Sequence, residues 1–180
     1  MSTIRRFHAM DLFRFNNLNL DRYTETYDLS FYFNYLSSWP DLFTMAMSPD
    51  GTPMGYLMGK VEGKGTEWHG HVTALTVGPE CRRLGLARGL MRALEDASEK
   101  NYDCYFVDLF VRSSNTVAVS MYERLGYILY RQVIDYYLGD GVMPTEYAYD
   151  MRKALPRDKD KKSVIPLKHP VTADQTIFYS

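Results

Sequence analysis

Two of the 180 residues are cysteine, Cys81 and Cys104, too few for the disulfide framework that holds small secreted domains together. Both are expected to be reduced. No run approaches the roughly 18 apolar residues of a membrane-spanning helix, and no N-terminal stretch combines basic, apolar and small-residue regions. Neither secretion nor membrane spanning is expected, and the cytosol is the default compartment. Net charge is also scarce: 21 basic and 22 acidic side chains leave −1, no global field to draw the chain onto nucleic acid or an anionic membrane. There is no internal repeat. G-x-x-x-x-G-K-[ST] and G-x-G-x-x-G are both missing, which removes the P-loop and the Rossmann dinucleotide site.

What remains is an ordinary globular composition, 46% hydrophobic and 24% charged, in a chain of single-domain length that buries roughly 70% of its unfolded surface. Fifteen residues are tyrosine, with an apolar body and a polar tip that suit pockets and interfaces.

Periodicity orders the chain. Thr3–Phe7 reads as a strand, Asp11–Leu18 as a helix with an apolar stripe, and Asp21–Leu29 as a polar loop. Ser30 is the expected cap of a short helix that ends before Pro40. Strands follow at Leu42–Met47, Met54–Glu62 and Glu67–Val77, reversed at Ser48–Gly51 and Gly63–Gly65. From Gly85 to Lys100, Ala87, Leu90, Met91, Leu94 and Ala97 recur at helical steps. The apolar run Cys104–Val111 predicts a strand buried on both faces, Asn115–Leu125 a helix ended by Gly126, and Tyr127–Tyr136 and Tyr147–Met151 two closing strands. Beyond Leu155 periodicity is lost.

The richest segment is Val77–Ala87, where a strand ends, a turn carries Arg82 and Arg83, and a helix opens on small residues. The first N–H groups of a helix are unsatisfied and carry partial positive charge, so a pyrophosphate could sit there. Gly85 and Ala87 would keep side-chain bulk away from it.

R-x-x-G-x-A, from Arg82 to Ala87, resembles the acetyl-CoA pyrophosphate loop of the GNAT acetyltransferase superfamily, and N-x-x-A-x-x-x-Y, from Asn115 to Tyr122, is similar to its next helix. Within that superfamily F-R-F-N-N-L-N-L-D, T-E-T-Y, E-W-H-G-H-V-T-A-L, F-V-D-L-F-V-R, Y-D-M-R-K-A-L and the tail K-K-S-V-I-P-L-x-H-P resemble the N-terminal acetyltransferases over nearly the whole chain. The resemblance implies an α/β (α+β) fold, a mixed, mostly antiparallel sheet of about seven strands flanked by about four helices. It implies a transferase domain at 1–155 and an extension at 156–180, surface-lying or partly mobile.

For the cofactor, acetyl-CoA as co-substrate, the resemblance implies contacts from Leu75, Thr76, Val77, Arg82, Arg83, Leu84, Gly85, Leu86, Ala87, Asn115 and Tyr122. Tyr122 would give the departing thiolate its proton. For the acceptor it implies Glu25 and Tyr27 on one wall of a peptide groove, Tyr136 and Tyr137 on the other, and His71 with Thr73 as readers of the second residue. Acceptors would be nascent chains beginning Met-Asp, Met-Glu, Met-Asn or Met-Gln. Neutralising an α-amine at pH 7 costs about 1.4 kcal/mol against about 4.6 for a lysine, so a weak base suffices. His69 and His71 share one strand face, but no third ligand is evident and no metal site is expected. A lysine or small-amine acetyltransferase, or a non-catalytic subunit that binds CoA or peptide, are the alternatives. The resemblance further implies a large helical-repeat auxiliary subunit that holds the chain near the ribosome. Leu12, Phe13, Phe15 and Leu18 could help dock it or pack the chain's own core, and some are expected to do each.

Overall fold

The computed structural model describes residues 2–20, 23–139 and 144–176. Asp21 and Arg22, at the start of the expected polar loop, lie outside the described residues, as do residues 177–180 of the tail. The chain forms two compact units, Met1–Val61 with Val72–Tyr102, and Glu62–His71 with Asp103–Ser180.

In the first unit β1 (Thr3–Arg6), β2 (Phe43–Met47) and β3 (Pro53–Glu62) pair in chain order as antiparallel neighbours. The turn between β2 and β3 uses the residues its sequence offers: Gly51 takes φ +84°, and the Asp50 carboxylate accepts the Thr52 N–H at 3.0 Å. Phe43, Met45, Tyr56 and Met58 are buried together with Phe7, Phe15 and Tyr32. The Phe7 and Phe43 rings stack at 4.0 Å, and Phe15 meets Tyr56 edge-on at 5.2 Å.

Asp28, not Ser30, caps α1 (Leu29–Ser38): its carboxylate accepts the Phe31 N–H at 2.8 Å and the Ser30 hydroxyl at 2.6 Å. The nearby serine is thereby recruited to the cap rather than forming it. Helix α2 (Leu86–Lys100) buries Leu86, Leu90, Met91, Leu94 and Ser98. Ala87 and Ala97, expected on that stripe, are half-buried beside it, because one residue's step turns a helix by about 100°.

Residues Asp11–Leu18 do not form the expected helix. They lie in two 3-10 segments, Ala9–Phe13 and Asn16–Leu20. The Asp11 carboxylate accepts the His8 N–H at 2.8 Å and both arms of Arg5 at 2.7 and 2.8 Å, closing the first turn locally. Asn16, Asn17 and Asn19 propagate a helix poorly. Leu12, Phe15 and Leu18 are 6%, 4% and 2% exposed, so of the four apolar residues considered for docking only Phe13, at 73%, is accessible.

The second unit contains the start of β4 (His69–Val77), β5 (Phe106–Arg112), α3 (Thr116–Arg124), β6 (Ile128–Tyr137), β7 (Glu146–Ala154) and β8 (Val171–Thr172). Its strand order is β4-β5-β7-β6-β8: β7 folds back antiparallel to β6 and runs between it and β5, paired from Phe106↔Ala154 to Arg112↔Ala148. Gly126, at φ +94°, ends α3 as its position predicts. In the tail, Leu167 N–H donates to the Tyr130 carbonyl at 2.8 Å, and β8 lies parallel to β6 at Val133↔Val171 and Ile134↔Thr172.

Among the described residues there are eight strands and three α-helices. The surplus strand is β8, two residues long, too short to show a period. The missing helix is the pair of 3-10 segments. The mixed, mostly antiparallel α/β class is as expected. No described helix is long and apolar enough to cross a membrane.

Candidate functional site

The first unit holds Leu75, Thr76 and Val77 at the end of β4 and the whole Arg82–Ala87 turn. Pro79–Cys81 forms one 3-10 turn, Arg83 takes φ +64°, and Gly85, the N-cap of α2, takes φ +79°. No side chain caps α2 and no acidic residue occupies its first turn. Arg82 and Arg83 are exposed beside it. Cationic charge at the positive end of a helix costs the free protein stability and favours an anion there. Leu84 is 64% exposed, Leu86 is buried, and Ala87 is half-buried.

Glu25, Tyr27 and Thr73 also belong to the first unit. The Tyr27 hydroxyl donates to Glu25 at 3.4 Å, and its ring stacks on Phe31 at 4.3 Å. Burial, and then the Glu25 charge beside it, push the Tyr27 hydroxyl far above its ordinary range. Thr73 shares a 2.8 Å hydrogen bond with the Tyr35 hydroxyl, a partner that sequence reading missed.

The second unit holds Asn115, Tyr122, His71, Tyr136 and Tyr137. Asn115 is the N-cap of α3, its carbonyl oxygen accepting the Ala118 N–H at 3.3 Å. Two turns on, Tyr122 is 7% exposed, its ring edge-on to Tyr127 at 6.0 Å. Burial pushes its hydroxyl far above the usual tyrosine range, so it stays protonated and able to donate.

His71 Nδ1 lies 2.7 Å from Asp108 Oδ1, and its ring 5.5 Å from Phe110. Phe110 in turn packs against Tyr136 at 4.8 Å and accepts, at its carbonyl, the Tyr137 hydroxyl at 3.1 Å. Successive strand residues should point to opposite faces. Here Asp135 takes φ +51° and the β6–β7 ladder shifts register between Val133 and Tyr137, which lets both tyrosines address Phe110. Arg112 lies 4.2 Å over the Tyr137 ring.

His69 is fully buried, its ring stacked on Phe106 at 4.6 Å and its Nδ1 2.6 Å from the Glu67 carbonyl. The third donor that the sequence leaves unseen beside the two histidines is Glu62: ligand atoms of Glu62, His69 and His71 lie within 4.8 Å of one another. Nδ1 of His69 faces the Glu67 carbonyl and Nδ1 of His71 the Asp108 carboxylate, which leaves Nε2 of each ring as the atom that could serve a further ligand.

The pattern of the acetyltransferase (GNAT) family matches residues 12–127; the chain belongs to this family and has its fold. Among its relatives it is similar to N-alpha-acetyltransferase 20 of Dictyostelium discoideum, 64% identical over 171 residues that cover 95% of this chain and 96% of that one. It is likewise similar to the N-terminal acetyltransferase B complex catalytic subunit NAA20 of Arabidopsis thaliana, 59% identical over 97% of this chain and 98% of that one. Among solved structures it resembles Chaetomium thermophilum Naa20 in complex with a bisubstrate analogue, with a TM-score of 0.88 and 42% identity over 96% of this chain and 97% of that one.

Proposed function

We propose that this chain is the catalytic subunit of an N-terminal acetyltransferase of type B (NatB), transferring acetyl from acetyl-CoA to the α-amine of nascent chains that begin Met-Asp, Met-Glu, Met-Asn or Met-Gln. The observation that carries this reading is a likeness of 64% over 95% of the chain, not of the cofactor loop alone.

The α2 N-terminus, uncapped by any side chain and without an acid in its first turn, fits a pyrophosphate held on the backbone of Leu84–Ala87 with Arg82 and Arg83 beside it. Leu75, Thr76 and Val77 offer backbone groups to the pantetheine arm and the oxyanion, and Asn115 offers its amide NH2. The neutral amine attacks the thioester carbonyl, the nitrogen of the tetrahedral oxyanion passes its extra proton to water, collapse re-forms the carbonyl and breaks the C–S bond, and Tyr122 gives its proton to the departing thiolate and regains one from solvent. Glu25, Tyr27, Tyr136 and Tyr137 contact the acceptor peptide, and His71 and Thr73 read its second residue. Residues 1–155 act as the transferase domain and 156–180 as its surface extension.

The Arabidopsis relative is named as part of a complex, and a helical-repeat auxiliary subunit is the expected partner here, holding the chain near the ribosome in the cytoplasm. Phe13 and Leu20, 73% and 79% exposed, support a docking face in the N-terminal segment. The test measures CoA release with peptides starting Met-Asp, Met-Lys, Ser-Ala and Met-Leu, using the chain with its copurified partner. A preference for Met-Asp that His71→Ala abolishes supports the reading; equal rates on all four sink it.

A further inference from the structure

Asp108 interrupts an otherwise apolar strand, F-V-D-L-F-V, and is 1% exposed. Its Oδ1 meets His71 Nδ1 at 2.7 Å, and its Oδ2 lies 3.4 Å from His69 Nε2. Burial alone would raise its carboxyl; the charges of His69 and His71, the His71 hydrogen bond and Arg152 outweigh it and hold the group well below the ordinary carboxylate range. Asp108 is therefore an ionised acceptor at neutral pH. A carboxylate can only accept, so the hydrogen between the two residues sits on His71 Nδ1. His69 is settled likewise, because the Glu67 carbonyl that its Nδ1 faces can only accept.

With Nδ1–H committed to Asp108, His71 meets a ligand through Nε2. The neutral ring offers a lone pair there, the complement of an Asn or Gln NH2; the protonated ring offers N–H, the complement of an Asp or Glu carboxylate. Both states keep the bond to Asp108. The charged groups beside the ring include Asp108 on β5 and, from the end of β3, Glu62, whose Oε1 lies 4.0 Å from His71 Nδ1 and 3.8 Å from His69 Nε2. Behind Asp108 on β7 lie Asp150 and Arg152, 3.5 Å apart. Two carboxylates beside the two imidazoles compensate a positive charge on the ring.

We propose that Asp108 is a positioning residue for second-position specificity: by holding His71 in its Nδ1–H form it lets one imidazole read both acidic and amide side chains, with the balance between them set by the ring's charge. This rests on the reading of His71 as the second-position reader. It explains how acceptors as different as Met-Asp and Met-Asn share one site, and it makes their ratio depend on pH while the amine and thioester chemistry common to both cancels.

The experiment measures kcat/KM for Met-Asp and Met-Asn peptides from about pH 5.5 to about pH 8.5, either side of the ordinary histidine range, on the full chain coexpressed with its auxiliary subunit. The Met-Asp to Met-Asn ratio is expected to fall roughly tenfold through a single-proton step as pH rises, the difference between a charge-assisted and a neutral hydrogen bond. Asp108→Asn should remove or displace the step and lower the Met-Asp rate roughly ten- to a hundredfold, with acetyl-CoA affinity retained. A second measurement needs no variant: the ¹⁵N shifts of the His71 ring in the wild type should report hydrogen on Nδ1. A flat wild-type ratio, a step unmoved in Asp108→Asn, or a neutral ring with hydrogen on Nε2 overturns the role of Asp108 alone. Loss of any preference for Met-Asp and Met-Asn over Met-Leu in the wild type overturns the acceptor reading and this proposal together.

Discussion

Tyr122→Phe tests the proposal that Tyr122 supplies the proton that the departing thiolate takes. The substitution keeps the ring that packs on Tyr127 and removes one oxygen, so the cavity and hydrophobic costs of a larger truncation are avoided. An ordinary thiol titrates near 8.5, so leaving unprotonated at pH 7 costs about 2 kcal/mol, a slowing of roughly thirtyfold. That penalty shrinks as pH approaches the thiol's own value. Burial holds the Tyr122 hydroxyl far above its usual range, so loss of the tyrosine's proton contributes nothing to the trend. Thiol release from acetyl-CoA with a Met-Asp peptide should therefore show a defect of about thirtyfold at pH 7, falling to a few-fold by about pH 8.5, with acetyl-CoA affinity unchanged. A defect constant with pH, a wild-type rate, or a loss confined to cofactor affinity would refute the assignment.

Gly63 takes φ +91°, and a Cβ there would meet the Glu67 carbonyl at 2.0 Å, the same oxygen that faces His69. Gly63→Ala should lower the urea midpoint more than Gly51→Ala, where φ is +84° but the space is open; about 2 kcal/mol or more against about 1 is expected. Asn115→Ala should cost about 1 kcal/mol in thermal unfolding while Asn115→Asp holds the cap. Burial would raise the Asp11 carboxyl, but Arg5 and the His8 N–H outweigh it and hold the group below the usual carboxylate range. A depressed carboxyl stabilises above its unfolded value and loses that contribution as pH falls through the folded one. Wild-type denaturation midpoints should thus drop more steeply below about pH 5 than those of Asp11→Asn.

The strand-turn-helix junction proposed to hold the cofactor was legible because its determinants are contiguous: strand end, two arginines, glycine and helix start occupy one short stretch. The helices α2 and α3 were equally plain, since helical periodicity is local. Asp11–Leu18 misled because its apolar spacing suits a helix while the bonds that decide it, from Arg5 and His8 to Asp11, are side-chain choices that no period encodes. Asp108 escaped because its partnership with His71 joins strands 37 residues apart, and Glu62 because alternation along a strand does not say which side chain of the preceding strand reaches the ring. One signal was available: a lone acid inside the apolar run F-V-D-L-F-V has to be paired with something cationic or hydrogen-bonded, and Asp108 was that acid. The kink at Asp135, which turns Tyr136 and Tyr137 toward Phe110, left no comparable mark.

The parallel pairing of Val171–Thr172 with Val133–Ile134, together with the Leu167 bond to Tyr130, means that the outer rim of β6 is occupied by the protein's own later residues. An open rim of that kind recruits strands from other molecules. Shortened to residue 155, the protein would therefore lose its self-avoidance before its catalytic groups, and would be expected to self-associate at concentrations where the full chain stays dispersed.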